Sequence, residues 1–232
     1  MIQNVDTILA EHSLLGQLPE DARAHLRSLV STRQFQANQV VFLKGDEGNA
    51  LMAVLSGRIR ICSYSAEGRE VVLNVMRPGD VFGEIAMIDG GPRTADAFAM
   101  ETSRLLMLSR GDFMPFLERH PAVAITLLQV LCERLRRTSN QVEDYFFLNL
   151  RCRLAKCLLQ LCSETDAGHD PGGATTIRAS QQLLASMIGT SREAVNKQLK
   201  SWEAMGLIAL HRGSITVIGA DVLAAVVQET EG

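Results

Sequence analysis

Nowhere does this 232-residue chain hold the roughly 18 consecutive apolar residues that a membrane-spanning helix needs, and its opening residues, MIQNVDTILAEHSLL, lack a basic segment followed by an apolar block. Neither a membrane span nor a secretory leader is expected, and a cytoplasmic protein is. Cysteine is sparse: positions 62, 132, 152, 157 and 162 form no C-x-x-C pair, so reduced thiols filling a core are expected. The five histidines, at 12, 25, 120, 169 and 211, are scattered, with no H-E-x-x-H spacing. That disfavours a metal-dependent hydrolase and puts the histidines at the surface. An excess of positive charge is lacking too, and a net −3 does not advertise a nucleic-acid partner. Distribution says more than the sum. Within 178–212, Arg178, Arg192, Lys197, Lys200 and Arg212 face only Glu193 and Glu203, which leaves a local basic face.

What is present falls into three parts. Residues 31–109 read as short β-rich runs, among them Val40–Leu43, Leu51–Leu55, Arg58–Ile61 and Val71–Val75, broken at Gly45-Asp46, Ser56-Gly57, Glu67-Gly68 and Pro78-Gly79-Asp80. Turn residues at such close spacing predict an antiparallel β-roll, jelly-roll-like, or a barrel. Helices are expected beside it over Asp6–Leu14, Pro19–Leu29 and Asp112–Leu117. After Pro121 neither glycine nor proline occurs for 46 residues, and proline at a first turn predicts a long helix ending near Phe147. Its Ala124, Leu128, Leu131, Leu135, Thr138, Val142 and Tyr145 alternate at spacings of four and three, a heptad seam that predicts a parallel homodimer. Thr138 is polar where the seam wants an apolar side chain, so it serves either as a register device or as a ligand contact. A shorter helix carrying Leu150, Leu154, Leu158 and Leu161 follows, then a turn-rich connector over 163–173. The expected class is α+β, divided as 1–120, 121–147 and 148–232.

The densest chemistry lies in Phe82-Gly83-Glu84-Ile85-Ala86 and, after a short gap, Pro92-Arg93-Thr94-Ala95. A cyclic phosphodiester calls for a forked guanidinium with hydroxyl and backbone N–H donors, and a ribose 2′-hydroxyl calls for a carboxylate acceptor. Arg93, Thr94, the Gly83 backbone and Glu84 supply that set, Gly83 by letting backbone approach the ligand.

The run from Ser180 to Val195 is laid out as a helix-turn-helix: Ser180 as the first cap, Ala185 where two helices cross, Gly189 in the turn and Ser191 as the second cap. Leu184, Ile188, Val195 and Leu199 form its expected core, and Gln198 stands where an apolar residue is common. Leu207–Leu210, His211–Ser214 and Ile215–Ile218 read as a β-hairpin wing. At the start of the second helix Arg192, Glu193 and Lys197 are the expected base readers, arginine to guanine and glutamate to cytosine N4. Ser191, Lys200 and Arg212 are expected on phosphate.

Both motifs, in this order, resemble the CRP/FNR family of bacterial transcription regulators, and the resemblance covers nearly the whole chain. It implies a cyclic-nucleotide-binding roll, a dimerisation helix and a winged helix-turn-helix, with no enzyme activity. It implies cyclic AMP as effector, held by Gly83, Glu84, Ile85, Arg93, Thr94 and Ala95. Within the cyclic-AMP-responsive branch a Thr-Ser pair on the long helix reaches the base, and Thr138 and Ser139 fall at the matching place, the serine acting from the partner subunit. A threonine beside the phosphate meets the guanine amino group in several such domains, so Thr94 implies cyclic GMP as a second ligand. The implied partners are palindromic DNA, a second copy of the chain and RNA polymerase. The family's Arg-Glu-x-x-x-Arg reader appears here as Arg192–Lys197, and lysine lacks the planar fork, which puts a TGTGA-like half-site in question where it reads. Iron–sulfur members carry cysteines near the N-terminus and this chain has none in its first 61 residues. Relatives that sense another ligand, such as cyclic di-GMP, or none, stay open as the alternative.

Overall fold

The computed structural model of the chain describes residues 18–164 and 174–228. The helix expected over Asp6–Leu14 and most of the 163–173 connector lie outside these residues. A first helix, α1 (Glu20–Leu29), leads into β1 (Val30–Phe35), β2 (Val40–Phe42), β3 (Ala50–Ser56), β4 (Ile59–Tyr64), β5 (Glu70–Met76) and β6 (Val81–Phe82). A short helix, α2 (Glu84–Asp89), separates these from β7 (Asp96–Ala99) and β8 (Ser103–Ser109). Next come α3 (Arg110–Arg119), the 27-residue α4 (Pro121–Phe147), α5 (Leu150–Ser163), β9 (Thr175–Ile177), α6 (Gln181–Ile188), α7 (Arg192–Ala204), β10 (Ile208–His211), β11 (Ser214–Val217) and α8 (Ala220–Gln228).

The first eight strands make two four-stranded sheets, ordered β1-β8-β3-β6 and β2-β7-β4-β5. Successive side chains of a strand point to opposite faces, and β3 and β8 are apolar on both. Met52 and Val54 of β3 and Leu105 of β8 join Phe35, Ile59, Phe82 and Ala97 in a core shared by the two sheets. Ala53, Leu55, Leu106 and Leu108 turn the other way, where Leu26 of α1, Phe113 and Phe116 of α3, and Val123 and Leu127 of α4 cover them. That is why the Leu51–Leu55 run shows no polar alternation.

The chain divides into two compact units, one of residues up to Ser63 with Leu73–Leu135, the other of Tyr64–Val72 with Arg136 onward. The division falls inside α4. Its first half belongs to the roll through Val123 and Leu127. Its second half is tied to α5 by Asp144–Lys156 at 2.6 Å, and to Glu164, the residue that caps α5, by Arg137 at 3.4 Å. In the second unit α5 to α8 and the sheet β10-β11-β9 enclose a core in which Leu154, Leu158, Leu184, Val195, Leu199 and Trp202 are fully buried.

Three elements escaped the sequence reading: α2, β9 and α8. The last is no loose tail, because Leu223 and Val226 enter the core and the Cys152 thiol donates to the Val226 carbonyl at 3.3 Å. The thiols are not uniformly core filler either. Cys62, Cys152 and Cys157 are buried, and burial pushes the Cys157 thiol up to about 12, Glu164 adding to the effect and Arg137 opposing it. Cys132, by contrast, is exposed on α4. Nor are all histidines free surface groups: His25 Nδ1 and His120 Nε2 lie 3.1 Å apart, part-buried beside the Phe116 ring.

Leu127 and Leu128 are neighbours with opposite roles, 6% and 55% exposed. Leu127→Ala should lower the roll's stability by about 2–5 kcal/mol, the usual cost of a buried leucine with its cavity. Urea denaturation measures it, and a loss below about 0.5 kcal/mol, the range of surface changes, would remove Leu127 from the core.

Candidate functional site

Six residues nominated from the sequence, Gly83, Glu84, Ile85, Arg93, Thr94 and Ala95, line one cavity in the roll, together with Phe42, Phe82 and Arg134. Gly83 holds a left-handed conformation, φ +83, at the head of α2, and a Cβ there would stand 2.6 Å from Arg93 Nη1 and 3.2 Å from the Ala50 carbonyl oxygen. The missing side chain therefore makes room for the arginine, where the sequence reading had it admitting the ligand.

Arg93 is held from several sides. Its backbone N–H donates to the Asp46 carbonyl at 2.8 Å and its own carbonyl accepts from the Gly45 N–H at 2.9 Å. In the side chain, Nη1 donates to the Gly83 carbonyl at 2.8 Å and Nη2 to the Ala50 carbonyl at 2.6 Å, with the guanidinium carbon 4.4 Å from the Phe42 ring centre. The residue is 4% exposed, and its Nε is buried with no acceptor. Burial pushes the guanidinium pKa down while Glu84 and Asp46 pull it back, and a guanidinium keeps its charge at any working pH. A buried cation bonded only to neutral carbonyls, with one donor unspent, is suited to an anion.

Glu84, 4% exposed, is answered by a residue that sequence reasoning missed. Arg134 of α4 donates Nη1 to Glu84 Oε1 at 2.7 Å and Nη2 to the Val81 carbonyl. Its signal was there, a cation one helical turn before Thr138, but nothing local named its carboxylate. Thr138 and Ser139 themselves stand exposed on α4, within the other unit.

The second unit realises the helix-turn-helix. Ser180 Oγ accepts from the Leu183 N–H at 3.1 Å and Ser191 Oγ from the Ala194 N–H at 3.2 Å, so each serine caps its helix. Gly189, φ +67, closes α6, and Ala185 is fully buried at the crossing. Val195, Leu199 and Trp202 take the inner side of α7, with Gln198 only half-buried. Arg192, Glu193, Lys197 and Lys200 are exposed on α7, as is Arg212 in the wing turn. The Glu193 carboxyl is held below the usual carboxylate range by its own backbone N–H, then by the Ser191 hydroxyl and Arg192. It stays an acceptor at neutral pH. Between the start of α6 and the wing opens a groove lined by Ser180, Gln182, Arg192 and His211, of which the sequence reading had named neither Gln182 nor His211 as a site residue.

Residues 32–120 match the family described as cyclic nucleotide-binding domain, and residues 152–226 the Crp-like helix-turn-helix domain. The two together make a cyclic-nucleotide-binding transcription regulator. The chain is 33% identical over 222 residues to a CRP-like cAMP-activated global transcriptional regulator of Mycobacterium tuberculosis, covering 95% of this chain and 98% of that one. It is 33% identical over 208 residues to the cyclic AMP receptor protein of Thermus thermophilus, covering 90% and 93%. Among solved structures, the c-di-GMP responsive global regulator CLP of Xanthomonas campestris superposes with a TM-score of 0.79 at 25% identity, covering 87% of this chain and all of that one. This chain belongs to the CRP/FNR family of transcription regulators.

Because Arg93 satisfies two backbone carbonyls, its loss should be felt before any ligand is added. Arg93→Ala leaves the Gly83 and Ala50 oxygens without their donor and should cost the ligand-free roll about 1–3 kcal/mol per carbonyl that water does not reach. Denaturant melts of the ligand-free variant provide the check, and an unchanged midpoint would mean the guanidinium is held less firmly than described.

Proposed function

We propose that the protein is a homodimeric transcription factor gated by cyclic AMP, with cyclic GMP as a second ligand, acting on palindromic DNA. The observation that carries this is the cavity in which Arg93, with an unspent buried donor, stands beside the Glu84–Arg134 pair. Arg93 and the Thr94 hydroxyl take the cyclic phosphate. Glu84, held by Arg134, accepts the ribose 2′-hydroxyl, and Ile85 and Ala95 form apolar wall. Thr138 and Ser139 reach the base from α4, the latter across the dimer. The relatives named as cyclic-AMP-activated support this effector.

Dimerisation is supported by what the single chain leaves uncovered. Leu128, Leu135, Val142 and Tyr145 are 51–68% exposed along one seam, and a second copy of α4 is the partner that such a heptad fits. Ligand bound against α4 biases how the two helices meet, and hence where two recognition helices fall on DNA. Ser191, Lys200 and Arg212 hold phosphate while Arg192, Glu193 and Lys197 read bases, and RNA polymerase is the expected protein partner. The Xanthomonas neighbour, responsive to c-di-GMP, favours one second reading, the same architecture with a dinucleotide trigger.

Calorimetry of the purified protein against cyclic AMP, cyclic GMP and cyclic di-GMP separates these. Cyclic AMP should bind, cyclic GMP within about a hundredfold, an allowance of under 3 kcal/mol, and Arg93→Ala should weaken both by roughly 30-fold to several thousandfold, the loss of a charge-assisted partner. Binding of cyclic di-GMP alone would replace this reading with the second.

On DNA, Glu193 and Lys200 should separate. Glu193 is an acid aimed at a polyanion and is rewarded only by a cytosine amino group, so Glu193→Ala should relax preference at one base pair by about 1–3 kcal/mol and spare non-specific binding. Lys200→Ala should weaken all sequences alike and flatten the salt dependence by about one counterion per subunit. Competition titrations against a half-site library at several salt concentrations decide it; a Glu193→Ala protein with the wild-type preference at every position would displace α7 from the groove.

A further inference from the structure

The end of α4 lies beside the turn that aims the recognition helix. Tyr145, the last seam residue, borders the space that a side chain at Gly189 would fill: a Cβ on that glycine would stand 3.4 Å from Tyr145 Cε2 and 3.7 Å from Cδ2. Gly189 is the left-handed residue that ends α6, and the Ser191 cap of α7 follows two positions later. Arg153 of α5 joins the same group. Its guanidinium carbon lies 5.1 Å from the Tyr145 ring centre, and Nη1 donates at 3.1 Å to the carbonyl of Ile188, the last residue of α6. A cation is favourable at that helix end. Its Nε, however, is buried with no acceptor, a cost that capping one carbonyl does not explain. Two further polar ties of this stretch, Asp144–Lys156 and Arg137–Glu164, join α4 to α5 and to the residue that caps its end.

We propose that Arg153, clamped between the Tyr145 ring and the Ile188 carbonyl, is a positioning residue that converts the placement of the last seam residue into the angle of α7. The inference rests on the dimeric, ligand-gated reading above. Tyr145 is 60% exposed, so its ring meets Arg153 on one side and leaves surface open to a second copy. A seam that shifts there moves a ring that Arg153 ties to the end of α6. Arg153 follows the ring's π face and carries the Ile188 carbonyl with it. The side chains of Arg192, Glu193 and Lys197 are fixed to a helix that starts just beyond, so a displaced turn re-aims all three together.

The test uses the full-length protein and the variants Arg153→Gln, Arg153→Lys, Tyr145→Leu and Tyr145→Phe. Dissociation constants are measured for a duplex that the wild type selects from a random library and for a random duplex, with and without saturating cyclic AMP. Arg153→Gln and Tyr145→Leu should each lower the selected-to-random ratio, and the gain on adding cyclic AMP, by about tenfold, a typical coupling size. For Arg153→Gln, which lies outside the seam, random-duplex affinity, cyclic AMP affinity and dimerisation should stay at wild-type levels. Tyr145→Phe keeps the ring and should keep the response, and Arg153→Lys should recover part of it. A purely structural role would instead lower thermal stability and every affinity together. If Arg153→Gln does not fold, Tyr145→Leu decides, since it leaves the Arg153–Ile188 bond in place. Wild-type ratios in both variants overturn the proposal. A wild type that ignores cyclic AMP overturns the gating reading, and the selected-to-random ratio then still decides the role of Arg153.

Discussion

A carboxylate with 4% of its surface exposed has to be answered by a charge, and for Glu84 the answer arrives from 50 residues away in the chain. An ion left alone in such a place costs several kcal/mol, so α2 and the first half of α4 are held to one another by necessity rather than by general stickiness. The same guanidinium takes the carbonyl of Val81, in the strand that delivers Gly83. Arg93 approaches from the opposite flank, anchored on Gly83 and Ala50. Glu84 is paired with Arg134, while Arg93 spends its side-chain donors on neutral carbonyls and lines the cavity, and its positive field is of the kind a phosphodiester is drawn to.

The sheets exist to keep that geometry stiff. β3 and β8 are buried on both faces, one toward the second sheet and one toward α1, α3 and α4, so neither strand can shift without disturbing two cores. β6 hangs on β3, and Gly83 follows β6 directly. Cassette, sheet and helix are thereby linked through packed side chains, with the Glu84–Arg134 pair and the guanidinium–carbonyl bonds of Arg93 and Arg134 as directional contacts among them.

Much of this was legible in the sequence because the signals were local. Turn residues marked the strands, alternating spacings marked α4, and Ser180, Gly189 and Ser191 marked the two helices at their caps, since a cap is decided by neighbours three residues away. Six cavity residues were legible for the same reason, lying in two short runs. What stayed hidden was non-local. Arg134 is one of three arginines on a helix with as many acids until the fold sets Glu84 beside it. β9 has three residues and owes its strand character to pairing with β11. α8 reads as a short apolar tail until α5 supplies the surface that it covers. His25 and His120, 95 residues apart, became neighbours only through α1 and the α3–α4 junction.

The division of α4 between two compact units has a consequence for how such proteins can be recombined. A helix carries phase as well as length: each residue turns it by about 100°, so one residue inserted between Leu135 and Arg136 would swing Val142 and Tyr145 off the line that Leu128 and Leu135 define, whereas seven would nearly restore it. On the dimeric reading proposed above, a sensor unit from one relative and a reader unit from another are therefore interchangeable only in whole heptads. Linker length in this architecture is counted as an angle.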